Sequence, residues 1–294
     1  MSQKRKITLL GTGLMGLPMS RNLMAGGHDL TVWNRSAQRA KPLVEEGAKT
    51  TETSAEAIKG AEIIITMLSD GYATQALLDD PDFRANLSAG MIWIDMSSAK
   101  PEHARAQSSD LATLGVAHLD APVSGGTKGA ESASLAIMAG GEKPTFDAAV
   151  PVLEAMGRPV YVGPSGAGQL CKLANQTIVA VTISAVAEAT LLAEKGGADP
   201  AALRAALKGG FADSVILQQH GARMSAGDFA PGGLSKFQLK DLDNTLAEAA
   251  AHGLTLPATQ AVRDRFAYFC EDMDGAGLDH SGLYLELKQR NNLT

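Results

Sequence analysis

The sequence predicts an α/β domain built on a parallel sheet, followed by an all-helical domain. Three observations predict it. Short β-type runs alternate with helical stretches through the first half of the chain, the order that a sheet with crossover helices requires. One run, Glu62-Ile63-Ile64-Ile65-Thr66-Met67, is apolar without alternation, as a strand covered on both faces must be. Strand signals stop near residue 163, and only helical patterns follow. The expected domains are therefore residues 1–163 and 164–294.

In order, Ile7-Thr8-Leu9-Leu10 is the first strand and Leu14 to Ala25 the first helix. Leu30-Thr31-Val32-Trp33 is the next strand, with Ala37 to Glu46 helical after it. The apolar run at 62–67 is followed by strands at Met91 to Asp95 and Val116 to Asp120. Beyond Gly163-Pro164-Ser165-Gly166, a long helix spans Gln169 to Lys195 and ends at Gly196-Gly197. Pro200 to Lys208 is a short helix with Asp199 as its N-cap. Lys240 to His252 and Pro257 to Cys270 are two more.

Composition narrows the function classes. With 26 Lys plus Arg against 32 Asp plus Glu, the net charge of −6 disfavours nucleic acid and anionic membrane as partners. The aromatic content of 4% offers no stacking stripe for a single strand. Two cysteines far apart, Cys171 and Cys270, and six scattered histidines give neither a zinc pattern nor a disulfide framework, so no metal is expected. The apolar opening is broken at once by Gly11 and Gly13, unlike a signal peptide. The longest apolar stretch, Thr177 to Ala193, carries Thr182, Ser184, Glu188 and Thr190 and reads as a buried helix rather than a membrane span. Free thiols and these features fit a cytoplasmic protein.

Residues Gly11-Thr12-Gly13-Leu14-Met15-Gly16 match GxGxxG between a strand and a helix, the context that gives the motif meaning. Gly11 permits the tight turn, Gly13 lets backbone approach a pyrophosphate, and Gly16 lets the helix pack on the sheet. The helix start then presents unpaired N–H groups to the phosphates. A Rossmann-like, dinucleotide-binding domain follows. At the end of the second strand, where an NAD site carries Asp or Glu, this chain has Asn34-Arg35-Ser36, with Arg39 a helical turn further on. No carboxylate repels a 2′-phosphate there, and Arg35 can grip one with its planar fork, so NADP is expected, with NAD possible.

Lys172 stands near the start of the long helix, with Asn175 and Gln176 at i+3 and i+4 on the same face. A lysine so placed can give a proton to a carbonyl oxygen in reduction and take it back in oxidation. The alternative is a lysine that merely snorkels to water. At a strand end, Asp120-Ala121-Pro122-Val123-Ser124-Gly125-Gly126 offers the Ser124 hydroxyl and the Gly125 and Gly126 N–H groups to an anion, unless it is only a loop exit.

Together these segments resemble the β-hydroxyacid dehydrogenase family, over nearly the whole chain. That family includes 3-hydroxyisobutyrate dehydrogenase, tartronate semialdehyde (2-hydroxy-3-oxopropionate) reductase and glyoxylate/succinic semialdehyde reductases. The matches are Gly11 to Met19 with Asn22-Leu23 and Gly27-His28, then Asp120 to Gly126, then Gly166-Ala167-Gly168 to Lys172 with Asn175-Gln176, and finally Lys240-Asp241-Leu242. The family has a second Gly where this chain has Thr12. The resemblance implies that Lys172 is the catalytic lysine and that Ser124, Gly125 and Gly126 bind a substrate carboxylate. It further implies that Lys240 closes over the cofactor, and that Met67, Leu68 and Ser97 line the nicotinamide side. Members with an Asn four residues after the lysine use it for the substrate hydroxyl. Here Gln176 holds that place after Asn175, and either amide can serve.

The expectation is an NADP-dependent oxidoreductase acting on a small β-hydroxy acid or carboxylated semialdehyde. The resemblance also implies a homodimer or homotetramer. Two rivals are an imine reductase of the same fold and a non-catalytic dinucleotide-binding module. Both typically lack the lysine that this chain carries at 172.

Overall fold

A computed structural model describes residues 4–293. By its contacts the chain divides into two compact units, 1–172 and 173–294. The division falls inside one helix, because the first turn of that helix is bonded to the sheet of the first unit.

Among the described residues the first unit carries nine strands: β1 (Lys6–Leu10), β2 (Asp29–Trp33), β3 (Lys49–Thr50), β4 (Ile63–Thr66), β5 (Ile92–Asp95), β6 (Ala117–Asp120), β7 (Val123–Ser124), β8 (Leu135–Gly141) and β9 (Gly157–Gly163). Its α-helices are α1 (Gly16–Ala25), α2 (Lys41–Glu45), α3 (Ser54–Ala57), α4 (Gly71–Leu78), α5 (Pro81–Arg84), α6 (Pro101–Thr113), α7 (Gly126–Glu131) and α8 (Lys143–Leu153). The long helix α9 (Ala167–Lys195) runs from this unit into the second. The second unit continues with α10 (Pro200–Leu207), α11 (Val215–Ala226), α12 (Ser235–Ala251), α13 (Pro257–Glu271) and α14 (Leu283–Arg290).

The sheet order is β3-β2-β1-β4-β5-β6-β8-β7, with β9 also paired to β8. Strands β1 to β6 are mutually parallel, as expected. The sheet is not wholly parallel, however. β8 runs antiparallel to β6 and β7, because after Ser124 the chain passes through the short helix α7 and returns along the sheet in the opposite direction. Ile63, Ile64 and Ile65 are all buried, as their unbroken apolar run requires. One apolar cluster packs Leu9, Leu23, Val32, Ile65 and Ile94, and another on the opposite face packs Leu10, Ile64, Phe83 and Trp93. The strand order reverses at β1 and β4, and in such sheets ligands bind beyond the strand ends at that point.

In the second unit no strand occurs among the described residues, and only an isolated bridge joins Leu234 to Asp279. Asp199 caps α10 through the Ala201 N–H, as its position predicts. The apolar stretch of α9 is buried along one stripe only. Ala180, Ile183, Ala187 and Leu191 are covered, whereas Ile178 and Leu192 are exposed, so within one chain the helix is buried on one side. α9 has the length and apolarity of a membrane span. Its polar residues are nevertheless engaged by other helices: Arg265 donates to Ser184 and Glu188 and pairs with the buried Glu286. Replacing Arg265 by Met strands the Glu286 carboxylate, whose remaining cation is Arg290. Loss of roughly 3 kcal/mol in urea melts is the expected result.

Candidate active site

The glycine turn leaves β1 at the switch point. Gly11 has φ +106, and its N–H donates to the Trp33 carbonyl of β2. A Cβ there would stand 2.3 Å from the Met67 carbonyl oxygen. At Gly16 a Cβ would stand 1.8 Å from the Gly11 carbonyl oxygen, so α1 approaches the turn as closely as backbone allows. Gly13 differs: the nearest atom to its would-be Cβ is Arg39 Nη1 at 3.9 Å. Open space over Gly13 is what a diphosphate lying on the backbone needs. Thr12 Oγ1 is buried without a hydrogen-bond partner, an unsatisfied group beside that space. The residues of the turn therefore fit a dinucleotide phosphate. Leu14 is exposed beside it, and Met15 is half-buried.

Asn34 is committed to shaping this turn. Its Oδ1 accepts from the Thr12 N–H at 3.1 Å, and its Nδ2 donates to the Ser36 carbonyl at 3.0 Å. Arg35, Ser36 and Arg39 are exposed around it. On the other side of β1, the Met67 N–H donates to the Leu10 carbonyl, and the Leu68 N–H donates to Ser97 Oγ at 2.9 Å. Gly11, Met67, Leu68 and Ser97 thus meet at the carboxyl ends of β1, β4 and β5.

Ser124 ends the short strand β7. Gly125 (φ +135) and Gly126 (φ +61) follow in backbone conformations open to glycine, and both are exposed. β6 just before them buries two titratable groups. Burial pushes the His118 imidazole down to about 4 and the Asp120 carboxyl up to about 6, the latter against N–H bonds from Gly166 and Gln169. On β5, burial likewise raises the Asp95 carboxyl, which accepts from Thr66 Oγ1 and the Ser97 N–H.

Lys172 is half-buried in the second turn of α9. In the second unit Asn175, Gln176 and Lys240 belong to one polar cluster. Asn175 Nδ2 donates to Gln176 Oε1 at 2.9 Å. Gln176 Nε2 donates to Asp241 Oδ2 at 2.9 Å and to Gln238 Oε1 at 3.2 Å. Lys240 Nζ lies 3.4 Å from the other Asp241 oxygen. Gln176 is therefore braced against α12, and the structure joins it to Lys240 through Asp241. Sequence reasoning gave no role to Asp120, Gln169, Asp241 or Gln238. Asp120 and Asp241 stand inside segments that the sequence marks, but their partners lie tens of residues away, so what they bond is not written locally.

Another cluster joins residues far apart in the chain. His220, Asp279 and His280 place potential ligand atoms within 4.8 Å of one another. Asp279 is already engaged, accepting from the Gly232, Gly233 and Ser281 N–H groups and from the Ser281 hydroxyl, with Arg223 at 3.5 Å. A carboxylate so saturated, beside a guanidinium, serves to lock the loop before α12.

Comparison with known proteins agrees with this geometry. Residues 6–163 match the family model of the NAD-binding domain of 6-phosphogluconate dehydrogenase. Residues 166–287 match that of the NAD-binding domain of NADP-dependent 3-hydroxyisobutyrate dehydrogenase. The chain is 40% identical to a 2-hydroxy-3-oxopropionate reductase of Escherichia coli, over 98% of both chains. It is 34% identical to a 3-hydroxyisobutyrate dehydrogenase of Pseudomonas aeruginosa, over 94% of this chain and 96% of that one. A solved structure of Mycobacterium tuberculosis 3-hydroxyisobutyrate dehydrogenase with L-serine superposes with a TM-score of 0.89 at 33% identity, covering 97% and 100% of the two chains. Glycine turn, sheet order and whole-length likeness lead to one conclusion: the chain belongs to the β-hydroxyacid dehydrogenase family and is an NAD(P)-dependent oxidoreductase.

Proposed function

We propose that this enzyme uses NADPH to reduce a short carboxylated semialdehyde, with 2-hydroxy-3-oxopropionate as the first candidate, and runs the reverse oxidation of the β-hydroxy acid. The observation that carries the substrate is the 40% identity, over 98% of both chains, to a protein named for that reduction. The 3-hydroxyisobutyrate pair is the second reading, supported by the relatives named for it.

The reduced nicotinamide supplies a hydride to the carbonyl carbon. The chain's own residues do the rest. Gly11, Thr12, Gly13, Leu14, Met15 and Gly16 hold the diphosphate. Met67, Leu68 and Ser97 border the nicotinamide, and Lys240 keeps the cofactor role that its family match implies. Ser124 and the N–H groups of Gly125 and Gly126 orient the substrate carboxylate. The Lys172 ammonium gives its proton to the carbonyl oxygen as the alkoxide forms, and Asn175 or Gln176 holds that oxygen in line. In oxidation the neutral amine takes the proton back.

Preference for NADPH rests on the end of β2. Asn34 is occupied with Thr12 and Ser36, no carboxylate stands there, and Arg35 is exposed. Replacing Arg35 by Ala is expected to weaken NADPH binding roughly tenfold to a hundredfold, the contribution of a charge-assisted phosphate contact, and to leave NADH binding unchanged. Equal losses for both cofactors in a fluorescence titration would overturn this.

The division of labour proposed is a cofactor domain over 1–163 and a substrate and assembly domain over 164–294, in a cytoplasmic homodimer or homotetramer. Exposed Ile178, Leu192, Phe211 and Val215 in the second part support assembly. Light scattering after size exclusion tests it, and a monomer at micromolar concentration contradicts it. The function itself is tested by following NADPH and NADH oxidation with 2-hydroxy-3-oxopropionate, glyoxylate, succinic semialdehyde and methylmalonate semialdehyde. Rapid turnover of one carboxylated aldehyde, faster with NADPH, is expected. No turnover with any of the four would sink the reading and move cyclic imines to the front.

A further inference from the structure

We propose that Asp120 and Gln169 are positioning residues for Lys172: they clamp the first turn of α9 onto the carboxyl ends of β5 and β6 and so set where the ammonium group stands. This rests on the reading of Lys172 as the proton donor.

Asp120 is fully buried at the end of β6. Its Oδ1 accepts from the Gly166 N–H at 2.8 Å and its Oδ2 from the Gln169 N–H at 2.8 Å. These donors lie at the start of α9, where a helix has N–H groups with no partner of its own. Helices usually meet that need with a neighbouring Ser, Thr or Asn, which stabilises the helix without fixing its place. Here the cap comes from a strand 46 residues earlier. It ties the helix to the sheet.

Gln169 completes the clamp. Its side chain is fully buried, Oε1 accepts from the Ala99 N–H at 2.9 Å, and Nε2 donates to the Ser97 carbonyl at 2.8 Å. The same segment is held in turn by Asp95, which accepts from the Ser97 N–H, and by Ser97 Oγ, which accepts from Leu68. One hydrogen-bonded chain therefore runs from the nicotinamide border at Leu68 and Ser97 into the base of the helix that bears Lys172. Two glycines let the parts close. A Cβ on Gly168 would stand 2.2 Å from the Asp120 carbonyl oxygen, and one on Gly140 would stand 2.7 Å from Asp120 Oδ1.

Burial of a carboxylate with no cation bonded to it costs stability, and the surrounding N–H groups only offset that cost. The arrangement gains rigidity at the strand ends instead. Lys172 follows Gln169 by three residues, so a shift of the first turn is carried straight to it. Misplacement by about 1 Å can cost a hundredfold in rate.

A double-mutant cycle tests this with the fastest aldehyde of the panel and NADPH. Asn in place of Asp120 keeps the shape, but its single oxygen serves only one of the two N–H groups. Asp120→Asn is expected to lower kcat at least tenfold, with the Kd of NADPH within twofold of wild type. In a Lys172→Ala background the same substitution should change kcat less than twofold, because its target is gone. Equal losses in both backgrounds, or no loss in the first, would overturn the proposal. Full activity of Lys172→Ala alone would instead overturn the role of the lysine, a result read separately. If Asp120→Asn fails to fold by circular dichroism, Gln169→Glu replaces it. That variant keeps the N–H to Asp120 and sets an oxygen against the Ser97 carbonyl, and the same cycle decides.

Discussion

Replacing Lys172 by Ala should lower kcat roughly 10²–10⁴-fold, the range that a positioned general acid contributes. Cofactor binding should hardly change, since the glycine turn is shaped by the Thr12–Asn34 bond and the nicotinamide border by the Leu68–Ser97 bond. Arginine at 172 should not restore the rate. It keeps the charge, but its guanidinium holds the proton too tightly to release it. Added small amines should recover part of the lost rate by donating the proton from solution. Stopped-flow traces of NADPH oxidation for the three proteins check these outcomes. A Lys172→Ala enzyme at the wild-type rate would assign the proton to another group.

Replacing Gly16 by Ala should be nearly as severe by a different route. The new Cβ would overlap the Gly11 carbonyl oxygen at 1.8 Å, and both partners are backbone, so no side chain can swing away. α1 must withdraw from β1, and the turn between them must open. The expected cost is about 3 kcal/mol of stability, at the upper end for overpacking. NADPH should bind at least tenfold more weakly, because the N–H groups at the turn no longer converge. Gly27 is the control. It has φ +84 and open space around a would-be Cβ, so Gly27→Ala should cost about 1 kcal/mol of backbone strain and leave NADPH binding intact. Thermal melts with and without NADPH separate the two. Equal cofactor affinity in both variants would contradict the close-approach role of Gly16.

Much of the fold was legible because the buried parallel strands write themselves as unbroken apolar runs. Ile63 to Ile65 is the clearest case. The glycine turn was legible because each glycine answers a local steric demand. β8 and β9 went unread. β8 is a short apolar run that ends in Gly140-Gly141, and β9 opens with Gly157-Arg158-Pro159; neither alternates cleanly, and tertiary pairing makes them strands. α11 and α14 were missed for a related reason: polar residues interrupt their apolar faces, and their buried members meet partners from distant helices. At the site, residue types and local spacings were visible, whereas the bonds that brace them were not. Gln176 looked like one of two interchangeable amides, yet its contacts with Gln238 and Asp241 tie it to α12. Such pairings depend on the path of the chain through space.

β6 has a consequence for proton uptake. Two ionisable groups of opposite kind, His118 and Asp120, are buried on it, two residues apart. The imidazole ionises near pH 6.5 when unfolded and near 4 when folded, so acidification across that window protonates the unfolded chain first and weakens the fold. The carboxyl does the reverse. Its value is about 6 in the folded chain and 3.8 in the open one, so the folded form takes the proton first and gains stability as pH falls. Each shift corresponds to about 3 kcal/mol, at 1.36 kcal/mol per pH unit. The two changes oppose each other across nearly the same interval. Unfolding between pH 4 and 6 therefore exchanges almost no net protons at this strand, and the central sheet meets mild acid as though β6 carried no titrating groups.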